Sequence, residues 1–321
     1  MPGAKERELK RRISSVQNTK KITRAMELIA ATRVVKAMQR ANEAKPYASQ
    51  ITTVIENLAA AGAEAAHPLL EERQTLERVG FVIISSDRGL AGPYNGQVIK
   101  AAEKEIMGAQ VEGAEYSLFL IGKKANDYFS FRNYRIDASY EGISDTPTYA
   151  DARRVADDVM RAFIDGTIDR VELIYTEFVT MGSQRVTVRR FLPLESTETI
   201  AAAGGGDAAV LASFEFEPSP SGVLESLLPR YVEARLFGAL LEAAASEHAN
   251  RQRAMKAATD NAEDLIVNLS REMNQARQEA ITTEIMEIVG GAEALGGDDH
   301  VDEPPIERLL ATLTLEETST P

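Results

Sequence analysis

Small and apolar residues recur every three or four positions along the first sixty residues of this chain. The positions are Leu9, Ile13, Val16, Thr19, Ile22, Met26, Ala30, Val34, Ala37, Ala41, Ala44, Ala48, Ile51, Ile55 and Leu58. Such spacing is typical of the seam of a coiled coil. At about 1.5 Å per residue the segment would be roughly 70 Å long, far longer than a globular domain requires. The pattern therefore predicts a long helix that pairs lengthwise with another helix.

A segment near the other end of the chain has the same spacing. Neither glycine nor proline occurs between Gly238 and Gly290. The small and apolar positions there are Ala258, Ala262, Leu265, Leu269, Met273, Ala276 and Ala280. Because the two segments lie at opposite ends of the sequence, we expect them to form an antiparallel coiled coil within one molecule that carries a separate globular domain.

The middle of the chain alternates between strand and helix patterns. Val79–Ile84 is a continuous apolar run, typical of a strand buried on both faces. Further strands are predicted at Tyr116–Ile121, near Arg135–Ala138, at Val171–Phe178 and at Val186–Leu192, with helices at Gln97–Ile106 and Thr148–Ile164. This alternation predicts a small, mostly parallel α/β sheet of Rossmann-like type. Pro46 is expected to kink the first helix or to mark a junction in it.

These patterns divide the chain into four parts. We expect an N-terminal coiled-coil helix over 1–60, an α/β head and foot domain over 61–220, a C-terminal coiled-coil helix over 221–295, and an acidic, disordered tail over 296–321. The fold class is therefore α/β with a long coiled coil made from both ends of the chain.

Composition excludes several kinds of site. With no cysteine the chain has no disulfide, no thiol nucleophile and no cysteine-ligated metal centre. The three histidines, His67, His248 and His300, stand far apart, so we expect surface or capping residues and not ligands. No run of about 18 apolar residues is present, and the N-terminus lacks an apolar signal core, which predicts a cytoplasmic, unprocessed protein.

Charge is distributed unevenly along the sequence. The net charge of -13 argues against nucleic acid as a partner. The first helix is nevertheless rich in lysine and arginine, while the segment beyond Leu295 is acidic. A basic helix surface is usually a solvated face. A seam this rich in alanine is poorly buried by one partner helix, however, which favours a surrounding protein.

The link after the first predicted strand is the best candidate for binding a phosphate. Glycines between a strand and a helix can expose backbone N–H groups to an anion. In the segment from Ser85 to Gly96, however, Gly89, Gly92 and Gly96 fit neither the dinucleotide-binding motif nor the P-loop. A structural turn with Asp87 as a capping group is the better interpretation. Recognisable catalytic motifs are otherwise scarce, which favours a mechanical or scaffolding part.

Four segments resemble a known family. They are residues 18–33 (NTKKITRAMELIAATR), 86–92 (SDRGLAG), 255–262 (MKAATDNA) and 276–282 (ARQEAIT). These segments are similar to signatures of the gamma subunit of rotary F-type ATP synthases, and they occur in the family's order. The resemblance extends roughly from Lys5 to Leu295.

The resemblance implies a non-catalytic central rotor shaft without cofactor or metal. Its partners would be the alpha and beta subunits of the catalytic hexamer, the epsilon subunit and the c-subunit ring. It would lie peripherally at the cytoplasmic face of the bacterial cell membrane. There it would couple proton flow to ATP synthesis and regulate ATPase activity.

The resemblance also implies roles for particular residues. Met26 matches the position that faces the acidic lever of the beta subunit, and Arg251 matches a second coupling position. Arg277, Gln278 and Thr282 match the residues that meet the beta catch loop. Phe214, Phe216 and Glu217 match the foot that rests on the c ring. Relatives commonly end near Leu295, and the acidic extension is either inert or a regulator of hydrolysis.

Two other classes of protein are compatible with the same patterns. One is an α/β enzyme with a dimerisation stalk, which would need a ligand pocket near Asp87–Asn95. The other is an adaptor whose coiled coil forms between two molecules instead of within one.

Overall fold

The computed structural model describes residues 4–60, 67–194 and 219–295. The helices are α1 (Ala4–Ala60), α2 (Tyr94–Val111), α3 (Lys123–Phe131), α4 (Tyr149–Ile164) and α5 (Pro220–Leu295). The strands are β1 (Arg78–Ile84), β2 (Glu115–Ile121), β3 (Ala138–Tyr140), β4 (Arg170–Phe178) and β5 (Gln184–Leu192). Among the described residues, one compact unit combines 4–18 with 262–295, and the other lies within 19–261.

The larger unit contains a five-stranded sheet with the order β3-β2-β1-β4-β5. The first four strands are parallel, and β5 runs antiparallel to β4. Val82 in β1 lies between Phe119 of β2 and Leu173 of β4. This central position explains why β1 is apolar on both faces, and the predicted mostly parallel sheet is confirmed.

The two faces of the sheet are covered by different helices. Alternate residues of a strand point to opposite faces. Phe81 and Ile83 belong to a core with residues of α2 and α3, such as Ile106 and Phe129. Val82 and Ile84 belong to a second core with α4, and the same core includes Ile55 and Leu58 of α1 together with Leu224 and Leu228 of α5. Both terminal helices are thus anchored on one face of the sheet.

In this unit α1 and α5 run antiparallel within one chain. Near the start of α1 the hydroxyl of Thr259 donates to Thr23 Oγ1 at 2.9 Å. Near its end Leu58 shares a core with Leu224. Rising residue numbers in α1 therefore meet falling numbers in α5. This intramolecular pairing confirms the predicted antiparallel arrangement and contradicts the adaptor hypothesis, which requires a coil between molecules.

The smaller unit has the same kind of pairing. Leu9 and Ile13 of α1 form a buried cluster with Leu269 and Ala276 of α5. Val16, Ile266 and Met273 pack against this cluster as partly buried residues.

The predicted seam is wrong over two stretches. Ile22 is 60% exposed, whereas Thr23 and Glu27 are 9% and 8% exposed. Likewise Leu265 is 44% exposed, while Ile266 packs in the interface. Thr19 is exposed, and Thr259 is buried where Ala258 was predicted. The buried positions follow a strict alternation of four and three residues, so helix geometry decides the seam even where it carries polar side chains.

Other differences concern single elements. Helix α3 was not predicted, and β3 lies at Ala138–Tyr140, later than the predicted Arg135–Ala138. Helix α1 continues through the exposed Pro46, so the predicted junction there is wrong. The predicted start of α4 is confirmed because Thr148 is its N-cap and forms a capping box with Asp151.

The histidines have two different environments. His67 caps a short 3₁₀ helix over Pro68–Leu70, where its Nδ1 accepts from Leu69 N at 3.2 Å, as predicted. His248 is buried, with 2% exposure, so its assignment to the surface is wrong. His300 lies outside the described residues.

Candidate functional site

Five charged or titratable side chains converge where α1, α5 and the loop before α4 meet. This junction cluster consists of Arg33, Asp145, Glu247, His248 and Arg251. Arg33 of α1 donates to Asp145 Oδ2. Arg251 donates to Glu247 Oε1 at 2.6 Å, and its Nη1 lies 3.3 Å from His248 Nδ1. The cluster therefore joins three elements that lie far apart in the sequence.

The three α5 members of the cluster lie on one face of the helix. Glu247 and Arg251 are four residues apart, and His248 and Arg251 are three apart, so all three side chains are neighbours. Glu247 and His248 are almost fully buried, at 1% and 2% exposure. The adjacent Ser246 donates to the carbonyl oxygen of Thr176 in β4 at 3.0 Å.

The link after β1 is a structural turn organised by Asp87. Its carboxylate accepts backbone N–H bonds from Lys123 at 3.1 Å, Gly142 at 3.0 Å and Ser144 at 3.1 Å. Burial acts to raise the pKa of Asp87, but these hydrogen bonds outweigh it and lower the pKa below its usual value. Because Lys123 is the first residue of α3, the predicted capping role of Asp87 is confirmed on that helix.

The buried carboxyl group of Glu247 has an unusual environment. Desolvation raises its pKa to about 7 against the opposing effect of Arg251, and the negative charges of Asp145 and Asp87 add to the increase. Desolvation lowers the pKa of His248, so the imidazole is neutral at pH 7. At neutral pH the cluster therefore has a neutral histidine and a glutamate near its midpoint, beside the side chains of Arg33, Asp145 and Arg251.

The donor set of the cluster fits a proton better than a metal ion. One oxygen of Asp145, one of Glu247 and one nitrogen of His248 lie within 4.8 Å of one another. A guanidinium can only donate, so Arg251 makes His248 Nδ1 an acceptor and leaves the hydrogen on Nε2. That hydrogen faces Asp145, whose carbonyl oxygen lies 3.3 Å from Nε2. A metal ion at this point would need the lone pair on Nε2 that the hydrogen occupies.

The predicted coupling residues Met26 and Arg251 line one surface cleft of about 310 Å³. The cleft is completed by Ile29, Ala30, Arg33, Arg88, Gly89 and Leu90. Met26 is half-buried, while Leu90 is 62% exposed. Arg251 is 8% exposed and contacts the carbonyl oxygen of Gly89 at 3.3 Å. Met26 thus remains available to a partner, whereas Arg251 holds the link after β1 against α5.

The three residues assigned to the catch loop lie on the C-terminal part of α5. Arg277, Gln278 and Thr282 are all exposed. Thr282 donates to the backbone carbonyl oxygen of Gln278 at 2.9 Å. Ile281 and Ile285 are 46% and 54% exposed on the same part of the helix. The structure therefore presents polar and apolar groups together on this surface.

The predicted foot residues Phe214, Phe216 and Glu217 lie outside the described residues, as does the acidic segment after Leu295. Across residues 4–60, 67–194 and 219–295, none of the helices has both the length and the apolarity that a bilayer crossing requires.

Comparison with known proteins identifies the family. The family model described as ATP synthase matches residues 5–295. The ATP synthase gamma chain of Frankia casuarinae is 52% identical over 293 residues, which cover 90% of this chain and 97% of that protein. The chain belongs to the ATP synthase gamma chain family.

Other gamma chains are nearly as similar. Those of Streptomyces avermitilis and Mycolicibacterium smegmatis are 45% and 44% identical, each over 91% of this chain. The matches cover 97% and 98% of the two relatives, so the likeness extends over nearly their whole length.

Solved structures of ATP synthase subunits share the fold of this chain. A chain of the Euglena gracilis mitochondrial ATP synthase, from a structure of OSCP, F1 and the c-ring, superimposes with a TM-score of 0.63. It is 16% identical, and the match covers 93% of this chain and 98% of that one. A chain of the Tetrahymena thermophila central stalk and c-ring matches with a TM-score of 0.56 and 22% identity, over 74% and 99% of the two chains.

Sequence reasoning missed most of the junction cluster. The four-residue spacing of Glu247 and Arg251 was visible as a helical ion pair. Nothing in the sequence indicated that Asp145 and Arg33 would join them, because 112 residues separate these two positions.

Proposed function

We propose that this gamma chain is the central rotor shaft of a bacterial ATP synthase, and that it couples proton flow to ATP synthesis without catalysing a reaction itself. The observation that carries the proposal is the antiparallel pairing of α1 and α5 within one chain, seen at Thr23 and Thr259. Because both helices belong to one chain, the pairing gives a shaft that needs no second copy. Two helices wound together resist bending and twisting better than one.

The partners follow from the family and from the surface of the chain. The alpha and beta subunits would surround the coiled coil, and epsilon and the c ring would contact the head and foot domain, taken as 61–220. Phe214, Phe216 and Glu217 form the proposed foot. The complex would place the chain at the cytoplasmic face of the cell membrane, where it also regulates ATPase activity.

Steric contact and charge would act together on the beta subunits. Met26 offers a half-buried apolar surface, while Lys21, Lys36 and Arg40 are exposed on α1. These cations attract acidic levers, and salt screens such attraction over about 10 Å at 0.1 M. Arg251 would act differently from Met26. Its hydrogen bonds to the Gly89 carbonyl and to Glu247 would hold the link after β1 rigidly against α5.

Arg277, Gln278 and Thr282 would latch the shaft at discrete angles through hydrogen bonds to the catch loop. The Gln278→Ala/Thr282→Ala double variant should lower proton-driven ATP synthesis in membranes more than it lowers assembly of the complex. The matched control is Gln275→Ala/Thr283→Ala, since Gln275 bonds Glu279 and Thr283 bonds its own helix. Unchanged synthesis by a fully assembled double variant would refute the latch.

Rotation can be tested directly because the chain has no cysteine. A Thr282→Cys variant can be joined by a disulfide to a cysteine placed in a facing beta subunit. The cross-link should stop ATP synthesis, and reductant should restore it. Val111→Cys is the control, since its side chain is 88% exposed on α2 and labelling it should leave synthesis intact. Continued synthesis by the cross-linked complex would contradict a rotor.

A further inference from the structure

Two carboxylate oxygens in the junction cluster lack a hydrogen-bond partner among the described residues. They are Asp145 Oδ1 and Glu247 Oε2, and both are fully shielded from solvent. Each carboxylate is neutralised through its other oxygen, Asp145 by Arg33 and Glu247 by Arg251. A buried acceptor without a donor is costly. The Nε2 atom of His248 lies 3.5 Å from Asp145 Oδ1 and its hydrogen faces that residue, so the arrangement calls for one more hydrogen at Glu247 Oε2.

Charged and titratable groups from several elements surround Glu247. The groups facing Glu247 are Arg251 and His248 on its own helix, Asp87 on the link after β1, Asp145 on the loop before α4 and, through Asp145, Arg33 on α1. Tyr94 of α2 also feels the charge of Glu247, and burial raises the pKa of this phenol, which stays neutral. Lys36, Arg40 and Arg88 line the adjoining clefts. A proton on Glu247 keeps a further buried negative charge away from Asp145 and Asp87.

We propose that Glu247 carries a proton beside Asp145, and that this proton fastens the link after β1 and the loop before α4 to helix α5. Glu247 then acts as a positioning residue, because it orients Arg251, whose Nη2 holds the carbonyl of Gly89 at 3.3 Å. Loss of the proton adds a second negative charge beside Asp145. The two loops then separate more readily from the helix.

Glu247 is the group that titrates between pH 6 and 8. Asp87 is held ionised by its three backbone hydrogen bonds, since these keep its pKa low. Burial lowers the pKa of His248 below its usual value, so this imidazole titrates at lower pH than Glu247. The raised pKa of Glu247 therefore makes the attachment of the loops weaken as the pH rises through about 7.

Amide hydrogen exchange of the full-length chain measures this attachment. The backbone N–H groups of Asp87, Gly142 and Ser144 bond across the two loops and serve as probes. After correction for intrinsic exchange, their protection should fall about tenfold between pH 6 and pH 8, as expected for one proton released on opening. Glu247→Gln keeps the shape of the protonated carboxyl, so its protection should stay constant over this range.

Two further variants keep the test decisive. Glu242→Gln changes a half-buried glutamate on the same helix beside Tyr175, and the pH dependence at the loops should remain. Asp145→Asn removes the like charge, so the midpoint should move to lower pH even if Glu247→Gln does not fold. Equal pH dependence in wild type and Glu247→Gln, or an unmoved midpoint in Asp145→Asn, would overturn the proposal. Loss of loop protection on adding a chelator at pH 6 would overturn it in favour of a metal ion.

Discussion

Thr23 and Thr259 bond hydroxyl to hydroxyl within the seam between α1 and α5. Their Oγ1 atoms are 2.9 Å apart although 236 residues separate them in the sequence. Thr23 in turn donates to the carbonyl oxygen of Lys20 at 3.1 Å. Both side chains are buried, so the pair satisfies itself and fixes one register between α1 and α5.

Removing one hydroxyl of this pair should lower the free energy of unfolding by more than the hydrogen bond contributes, because the remaining oxygen loses its partner. Thr259→Val leaves the Thr23 oxygen without its donor and should cost about 1–2 kcal/mol in the free energy of unfolding. The double variant Thr23→Val/Thr259→Val should cost less than the sum of the single variants. Urea unfolding measures these values. Thr283→Val, an exposed threonine on the same helix, should change stability by less than about 0.5 kcal/mol.

Gly122 should not tolerate a side chain. Its φ is +92°, and a Cβ there would lie 2.4 Å from the carbonyl oxygen of Ser85. Gly122→Ala should therefore destabilise the sheet by about 3 kcal/mol or more, through backbone strain and the clash together. Gly113→Ala isolates the strain, because its φ is +89° and no described atom lies within 4 Å of the added Cβ. Similar losses for both variants in thermal unfolding would show that the clash is relieved.

Asp169 should stabilise the fold in a pH-dependent way. Burial opposes its charge, but hydrogen bonds from Arg73 and from the backbone N–H groups of Arg78 and Glu77 outweigh burial and lower its pKa. Because the folded pKa lies below the unfolded one, the stabilisation is complete above about pH 4 and is lost as the pH falls through the folded value.

Asp169→Asn should therefore cost about 1–3 kcal/mol at pH 7 and should flatten stability between pH 4 and 2. Denaturant unfolding across this pH range measures both effects. Asp260→Asn, on an exposed residue of α5, is the control and should leave the acid dependence as in wild type.

Leu265 and Leu269 distinguish the predicted seam from the observed one. Leu269 is 4% exposed against Leu9 and Ile13, whereas Leu265 is 44% exposed. Leu269→Ala should cost about 2–3 kcal/mol and accelerate amide exchange in residues 4–18, while Leu265→Ala should cost less than about 1 kcal/mol. The reverse order would mean that the apolar pattern, and not the regular spacing, defines the interface.

The sequence predicted the large elements because their patterns are long. A stripe that continues for fifty residues averages over local errors, so the antiparallel helices were recognised although Ile22 and Leu265 were misplaced. At Ile22 the apolar residue was chosen beside Thr23, the polar residue that the spacing requires. At Leu265 the neighbouring Ile266 is also apolar, so hydrophobicity alone could not decide between the two. Thr23 and Glu27 are tolerated in the seam because Thr259 bonds the hydroxyl and Arg24 bonds the carboxylate at 2.9 Å.

Short elements and distant contacts could not be predicted in the same way. Helix α3 has nine residues, and its start depends on Asp87, which lies 36 residues earlier in the chain. The junction cluster depends on Arg33 and Asp145 meeting α5, which only the folded sheet arranges. The site residues assigned by family likeness, including Gln278 and Thr282, stay predictions until their partners are tested.

Ile55 and Leu58 at the end of α1, and Leu224 and Leu228 near the start of α5, enter the same core on one sheet face. A sheet that packed on a single helix could rotate about the axis of that helix. Because the sheet packs on two helices, it cannot rotate about either one alone. A rotation of the sheet is therefore transmitted to both helices together.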